Sequence, residues 1–186
     1  MRKLLVLVAI VSAALFSVGH AHAAGPLRAL GIQGGYTNPD NLDGTWNAGL
    51  FMEVGAPMVN MYVQPFVNYW NQSISATAGS IGAGADMKDW SVGANLKWVF
   101  PISAPKVRPF IAGGASVHIL SSSANASLGG LGSLSFNTSD TKLGAQFGGG
   151  LELDVSQKVS LVGQSFYHTV SNFNQWSIGG ALQLHL

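Results

Sequence analysis

The stretch WSIGGALQLHL, Trp176 to Leu186, alternates without a break. Trp176, Ile178, Gly180, Leu182, Leu184 and Leu186 share one phase, and Ser177, Gly179, Ala181, Gln183 and His185 share the other. A period of two belongs to a β-strand, whose successive side chains point to opposite faces. One face here is apolar and the other polar or small. A strand this regular at the end of the sequence needs a partner, because an unpaired edge is a template for aggregation. A sheet closed on itself supplies one by pairing its last strand with its first.

The same alternation recurs upstream. Trp90, Val92, Ala94, Leu96, Trp98 and Phe100 oppose Ser91, Gly93, Asn95, Lys97 and Val99. Trp46, Ala48, Leu50, Met52 and Val54 oppose Asn47, Gly49, Phe51, Glu53 and Gly55. Leu143, Ala145, Phe147, Gly149, Leu151 and Leu153 oppose Lys142, Gly144, Gln146, Gly148, Gly150, Glu152 and Asp154. Eight strands are predicted near residues 27–36, 45–55, 59–70, 89–100, 106–120, 141–154, 158–169 and 175–186, the first, third and seventh with weaker alternation. In the third, Tyr62 and Phe66 fall on the more polar face. No segment after the N-terminus keeps a helical period.

Composition narrows the setting. Charged residues are 9% of the chain, against about 25% in soluble domains, while hydrophobic residues are 47%. A soluble barrel with an apolar interior would need a far more charged exterior. The N-terminus carries Arg2 and Lys3, an apolar stretch from Leu4 to Val18, then Ala21-His22-Ala23, the three parts of a secretory signal peptide. Cleavage after Ala23 is expected, with residues 24–186 forming one domain. Losing Arg2 and Lys3 takes Lys+Arg from nine to seven against eight Asp+Glu, so there is no basic surface for nucleic acid. The chain has no cysteine, and the histidines left beyond the signal, His118, His168 and His185, lack metal-ligand spacing. No cofactor is expected.

The connections alternate too. The even ones are the tight turns APM, PISAP and SQK. The odd ones are NPDNLDG, the long Ser/Gly/Ala-rich segments 72–88 and 121–140, and VSNFN. Short turns at one rim and longer loops at the other are the habit of outer-membrane barrels. Tyr36 and Trp46 flank the first odd loop, Trp70 and Trp90 the second, and Tyr167 and Trp176 the fourth, while Trp98 and Phe100 lie at the opposite rim. Such rings suit the two membrane–water interfaces, having an apolar body and a polar tip. In a bilayer closure is obligatory, since an unpaired backbone group has no water to turn to.

Two stretches carry a family resemblance. VRPFIAGGAS (Val107 to Ser116) is similar to a Pro–aromatic–glycine strand, and KLGAQFGGGLELDVSQKVSL to a glycine-rich strand, acidic strand end, tight turn and following strand. With them the chain resembles the small outer-membrane β-barrel proteins of Gram-negative bacteria, OmpA- and OmpX-like and opacity-type members of the porin family. The resemblance implies an all-β fold: an eight-stranded, antiparallel, up-and-down transmembrane β-barrel in the cell outer membrane. Outer-membrane lipid and lipopolysaccharide would surround it. It also implies a C-terminal signal for the barrel-assembly machinery on Leu182, Leu184 and Leu186, although that signal usually ends in Phe where Leu186 stands here.

An eight-stranded barrel is just wide enough for its interior side chains. If the polar faces point inward, Glu53, Lys97, Arg108, Glu152 and Asp154 gather near the even turns, with Lys142 farther out, giving three acids and three bases that balance. That set reads as a structural ionic network ahead of an ion gate. His168 and Ser171, in YHTVSN, suggest the hydrolytic pair of lipid A-modifying barrels, but at a spacing of three they point to opposite faces of a strand. No catalytic residue is assigned. The expected role is non-enzymatic, structural or surface-interacting through the long odd loops. A narrow porin-like channel is the alternative, followed by a lipid A-modifying enzyme and a soluble lipocalin-like binding protein.

Overall fold

The computed structural model describes residues 27–186 apart from 41, 57, 79–80, 104–105, 129–132 and 172. The expected signal peptide, residues 1–23, lies outside the described residues. The strands are β1 (Leu27–Pro39), β2 (Thr45–Gly55), β3 (Met61–Ala78), β4 (Ile81–Val99), β5 (Val107–Leu128), β6 (Ser133–Asp154), β7 (Val159–Val170) and β8 (Phe173–His185). Each is antiparallel to its neighbours, and β8 returns to β1 from Ala29↔His185 to Pro39↔Gln175. The barrel is closed, so the regular strand at the C-terminus has both edges paired.

The β2–β3, β4–β5 and β6–β7 connections share one rim. In the first, Asn60 takes the left-handed conformation (φ 61°), which an asparagine side chain tolerates better than most. Its carbonyl accepts from the amide of Val99 at 2.9 Å, tying this turn to the end of β4.

Within segments 72–88 and 121–140, expected as loops, the described residues are strand. β3 and β4 pair without interruption to Ala78↔Ile81, and β5 and β6 to Ser127↔Ser133. Ser, Gly and Asn have low strand propensity. Here, however, the ladders started inside the barrel simply continue, and β4 and β5 pair with each other from Val99↔Phe110 to Ile81↔Leu128. Ser73 also donates to Asp86 across the β3–β4 ladder. β2 reaches β3 only up to Asn47↔Trp70, and β7 reaches β6 only up to Gly144↔Val170. The outer parts of β3–β6 therefore stand beyond the barrel as a four-stranded sheet. Its eight or so residues per strand rise about 25 Å at 3.3 Å each.

Inside the barrel, lumen-facing glycines make space for rings. A Cβ on Gly93 would lie 2.8 Å from Phe66 Cζ and 2.3 Å from the Ala115 carbonyl oxygen of the next strand, and one on Gly150 would lie 2.9 Å from Phe110 Cζ and 2.1 Å from the Gly163 carbonyl oxygen. Phe51, Phe66, Phe110, Phe166, Val99 and Val162 pack there as an apolar cluster. This explains glycines spread through the strands rather than confined to turns.

Candidate functional site

The lumen holds the chemistry. Near the short-turn rim, Lys97 is wholly buried and its ammonium touches both Glu53 and Glu152, themselves wholly buried. β2, β4 and β6 bring these three together although they are far apart in sequence. The Lys97 ammonium also lies 4.4 Å from the centroid of the Phe110 ring, an attraction that adds to the ion pairs. Arg108 on β5 stands 3.0 Å from Glu152 and 2.7 Å from Asp154. Gln183 Nε2 donates to the second oxygen of Glu53 at 2.9 Å.

Lys142 does not join them. It lies toward the outer end of β6, 3.9 Å from Asp140. The third base of the cluster is Arg28, 3.6 Å from Glu53 and stacked 4.1 Å over the Tyr62 ring. Sequence parity hid it: Leu30, Ile32 and Tyr36 point outward, so an even-numbered Arg28 should as well. A register shift between Leu27 and Ala29 turns it inward. Arg28, Lys97 and Arg108 now balance Glu53, Glu152 and Asp154. At the rim, Ser160 Oγ donates to Asp154 at 2.5 Å and meets His185 Nε2 at 2.6 Å.

Above this cluster, amides relay inward: Gln146 donates to Asn95 (2.6 Å), and Asn95 to Gln64 (3.3 Å). Gln64 then points at Glu53 across a long 3.5 Å. A chamber of about 50 Å³ opens beside them, lined by Gln, Asn and Ser side chains with Phe66, Trp70, Phe166 and His168. Toward the outer end, buried His118 lies between Asp89 (Nδ1–Oδ2 2.7 Å) and Ser116 (Nε2–Oγ 3.0 Å). Asp89 comes from β4, diagonally across the ladder, a partner that spacing along the chain does not reveal. His168 faces the lumen, with Nε2 3.1 Å from Ser177 Oγ, while Ser171 sits exposed in the following turn. The two do not form a hydrolytic pair. Among the described residues no cluster of three metal-ligating side chains occurs.

The outer surface is the reverse of the lumen. Leu50, Leu96, Ile111, Leu143, Leu182 and Leu184 all stand exposed on it, and the terminal Leu186 is exposed as well. Trp90 and Trp98 point outward on the same strand, eight residues apart. At about 3.4 Å per residue and a tilt near 40°, that is roughly 20 Å along the membrane normal, close to the apolar band of such barrels. Tyr36 packs edge-on against Trp46 at 5.9 Å. Tyr167 and Trp176 are directly paired across β7 and β8. Phe100 lies 4.7 Å from Trp98 at the other rim.

Trp70 departs from the expected ring of surface aromatics. It is 3% exposed and points into the lumen, stacked on Phe173 at 6.2 Å. Its outward neighbour Tyr69 fills the place instead, 4.6 Å from Trp90. β3 carries aromatics in both phases, so its alternation does not say which faces lipid. Phe147, 67% exposed and 6.0 Å from Tyr167, is a further outward ring that the sequence pattern left out.

A closed barrel with an apolar surface between two aromatic levels and an ionic lumen is a transmembrane β-barrel. The chain belongs to the family of the outer membrane protein beta-barrel domain, whose model matches residues 8–183. It is an integral protein of the outer membrane and lies in its lipid and lipopolysaccharide environment. Among solved structures it is similar to Neisserial surface protein A, at 17% identity and a TM-score of 0.59, covering 89% of this chain and 100% of that one. It is also similar to Ail, the attachment invasion locus protein of Yersinia pestis, at 14% identity and a TM-score of 0.49, covering 85% and 97%. The N-terminal barrel of Pseudomonas aeruginosa OprF gives 9% identity and a TM-score of 0.47, covering 85% and 97%. No curated protein matches the chain.

Proposed function

We propose that the protein is a non-enzymatic surface-interaction barrel that works through the sheet formed by the outer parts of β3–β6. One observation carries this reading. Strand parity runs unbroken from lumen to sheet, but the polarity of the two faces exchanges on the way. In the barrel the inward phase holds Gln64, Asn95 and Glu152. In the projecting sheet the same phase holds Ile74, Ala85, Met87, Ala124, Leu134 and Phe136, while the opposite phase holds Ser73, Ser75, Asn125, Ser135, Asn137 and Ser139. Leu134 is 54% and Phe136 68% exposed. Several of these apolar residues, with Leu42, border a pocket of about 450 Å³.

An apolar face kept on a water-facing sheet is expected to meet something apolar. The lumen supports the same reading, because the wholly buried Glu53, Lys97 and Glu152 fill its short-turn end. The barrel holds the sheet at the cell surface. Residues 1–23 act as a cleaved signal, and Leu182, Leu184 and Leu186 present the outward stripe that the assembly machinery reads.

Attachment of expressing cells to hexadecane droplets tests the proposal. Wild type should raise attachment, and both Phe136→Asp and a form with residues 73–86 and 123–137 replaced by short turns should return it to the level of cells lacking the protein. Equal attachment for all forms, at matched surface amounts, would sink it. Steady single-channel steps in planar bilayers would favour a channel instead.

A further inference from the structure

Building on the surface-interaction role above, we propose that the partner of the projecting sheet is a cationic amphipathic peptide segment, seated between the apolar face of β3–β6 and the acidic β1–β2 connection. Ile74, Met87, Ala124 and Phe136 border the space of about 450 Å³, and Leu42 borders it from the β1–β2 side. Leu42 stands between Asp40 and Asp43, both exposed. Asp140 lies on β6 in the same phase as Leu134 and Phe136, and its side chain is 67% exposed.

The remaining charges of this half do not offset those acids. Lys142 shares the phase of Asp140 and lies 3.9 Å from it. Lys88 shares the phase of Trp90, which faces away from the apolar wall. Asp86 accepts from Ser73 on that other face, and Asp89 is buried against His118. Three acids therefore border the apolar space against one base. The whole outer half repeats the sign, with Asp40, Asp43, Asp86, Asp89 and Asp140 against Lys88 and Lys142. The short-turn half is the reverse: Arg28, Lys97, Lys106, Arg108 and Lys158 outnumber Glu53, Glu152 and Asp154. A negative field at the outer end draws cations toward it.

The sign of this charge chooses among occupants. A second copy brings the same acids, and face-to-face pairing would set like charges together. Lipid phosphates and acidic glycans are repelled in the same way. A neutral acyl chain covers the apolar wall but leaves the acids unmatched. A peptide that alternates apolar and basic residues meets both. In an extended segment alternate side chains point to opposite sides, so the apolar ones meet Ile74 and Phe136 while the basic ones turn away from the sheet, toward Asp40 and Asp43. Eight residues at about 3.3 Å each match the roughly 25 Å height of the sheet.

Fluorescence anisotropy with a labelled octapeptide alternating leucine and lysine, added to the full barrel in phosphatidylcholine nanodiscs, tests this. The peptide should bind these discs more tightly than discs without protein. It should also bind more tightly than octapeptides alternating leucine with glutamate or serine with lysine. The triple variant Asp40→Asn, Asp43→Asn, Asp140→Asn should weaken it about tenfold at low salt, since each exposed charge pair contributes a few-fold. The heat-dependent gel shift of the barrel should persist in that variant. Phe136→Asp adds a negative charge yet should weaken binding as well, because it removes part of the apolar wall. Equal binding of the lysine and glutamate peptides, both weakened by Phe136→Asp, would overturn the cationic assignment and leave the apolar surface role standing. Lysine-peptide binding that matches empty discs, or that Phe136→Asp leaves unchanged or tightens, would overturn the docking site.

Discussion

Replacing Lys97 with methionine leaves the volume of the site nearly unchanged and removes its central charge. In the wild type Arg28, Lys97 and Arg108 balance Glu53, Glu152 and Asp154, so the variant carries an excess negative charge in the lumen. Each charge-assisted hydrogen bond contributes about 1.5–3 kcal/mol, and Lys97 makes two. Removing one partner of a buried pair typically costs about 3–5 kcal/mol, because the other charge stays behind. Two carboxylates are left here. Gln183 still donates to Glu53, however, and Arg108 still lies 3.0 Å from Glu152. The cost is therefore set at about 3–5 kcal/mol rather than twice that.

The triple variant Glu53→Gln, Lys97→Met, Glu152→Gln removes all three buried charges. Arg28 and Arg108 keep 21% and 26% of their side-chain surface in contact with solvent, and Arg108 keeps Asp154 at 2.7 Å. The triple variant should recover to within about 1–2 kcal/mol of wild type, as neutral replacements of buried ion clusters do. Urea unfolding in phosphatidylcholine vesicles, followed by tryptophan fluorescence and the gel shift, measures both. A single variant that loses less than about 1 kcal/mol, or a triple variant no better than the single, would refute the reasoning.

Other perturbations follow from the same geometry. Gly150→Ala places a Cβ 2.1 Å from the Gly163 carbonyl oxygen and 2.9 Å from both Gln164 Cα and Phe110 Cζ, whereas Gly163→Ala meets nothing within 4 Å. The first should lose about 1–3 kcal/mol in the same titration and the second should stay near wild type. Ala94 lies midway between Trp90 and Trp98 on the lipid face, so Ala94→Arg should cost about 2–4 kcal/mol, and Trp46→Arg at the interface only about 0–1. Arg108→Ala should destabilise by about 1.5–3 kcal/mol without opening a path, read as silent planar-bilayer traces.

The barrel strands were legible because lipid on one side and a packed lumen on the other impose opposite chemistry on alternate residues. Trp90 through Phe100 displays that contrast almost without exception. The projecting sheet was not legible. Its two faces do alternate, but many of the alternating residues are small, glycines among them, with low strand propensity, and what orders them is backbone pairing with neighbouring strands. Most of the ion cluster was readable: acids and bases at strand ends place Glu53, Lys97, Arg108, Glu152 and Asp154, but parity cannot foresee the bulge that brings in Arg28 as the third base. Nor can spacing along one strand show Asp89 reaching His118 from the next. Trp70 was misplaced for a related reason, since an aromatic suits either face of β3.

The central claim is an outer-membrane barrel whose β3–β6 sheet stands outside the cell. The chain has no cysteine, so single-cysteine labelling with a membrane-impermeant maleimide tests it directly. Ser135→Cys, in the projecting sheet, should label on intact cells, and Ser156→Cys, in the β6–β7 turn, only after the cells are broken. Labelling of Ser156→Cys but not Ser135→Cys on intact cells, or recovery of the protein in the soluble periplasm, would contradict the account.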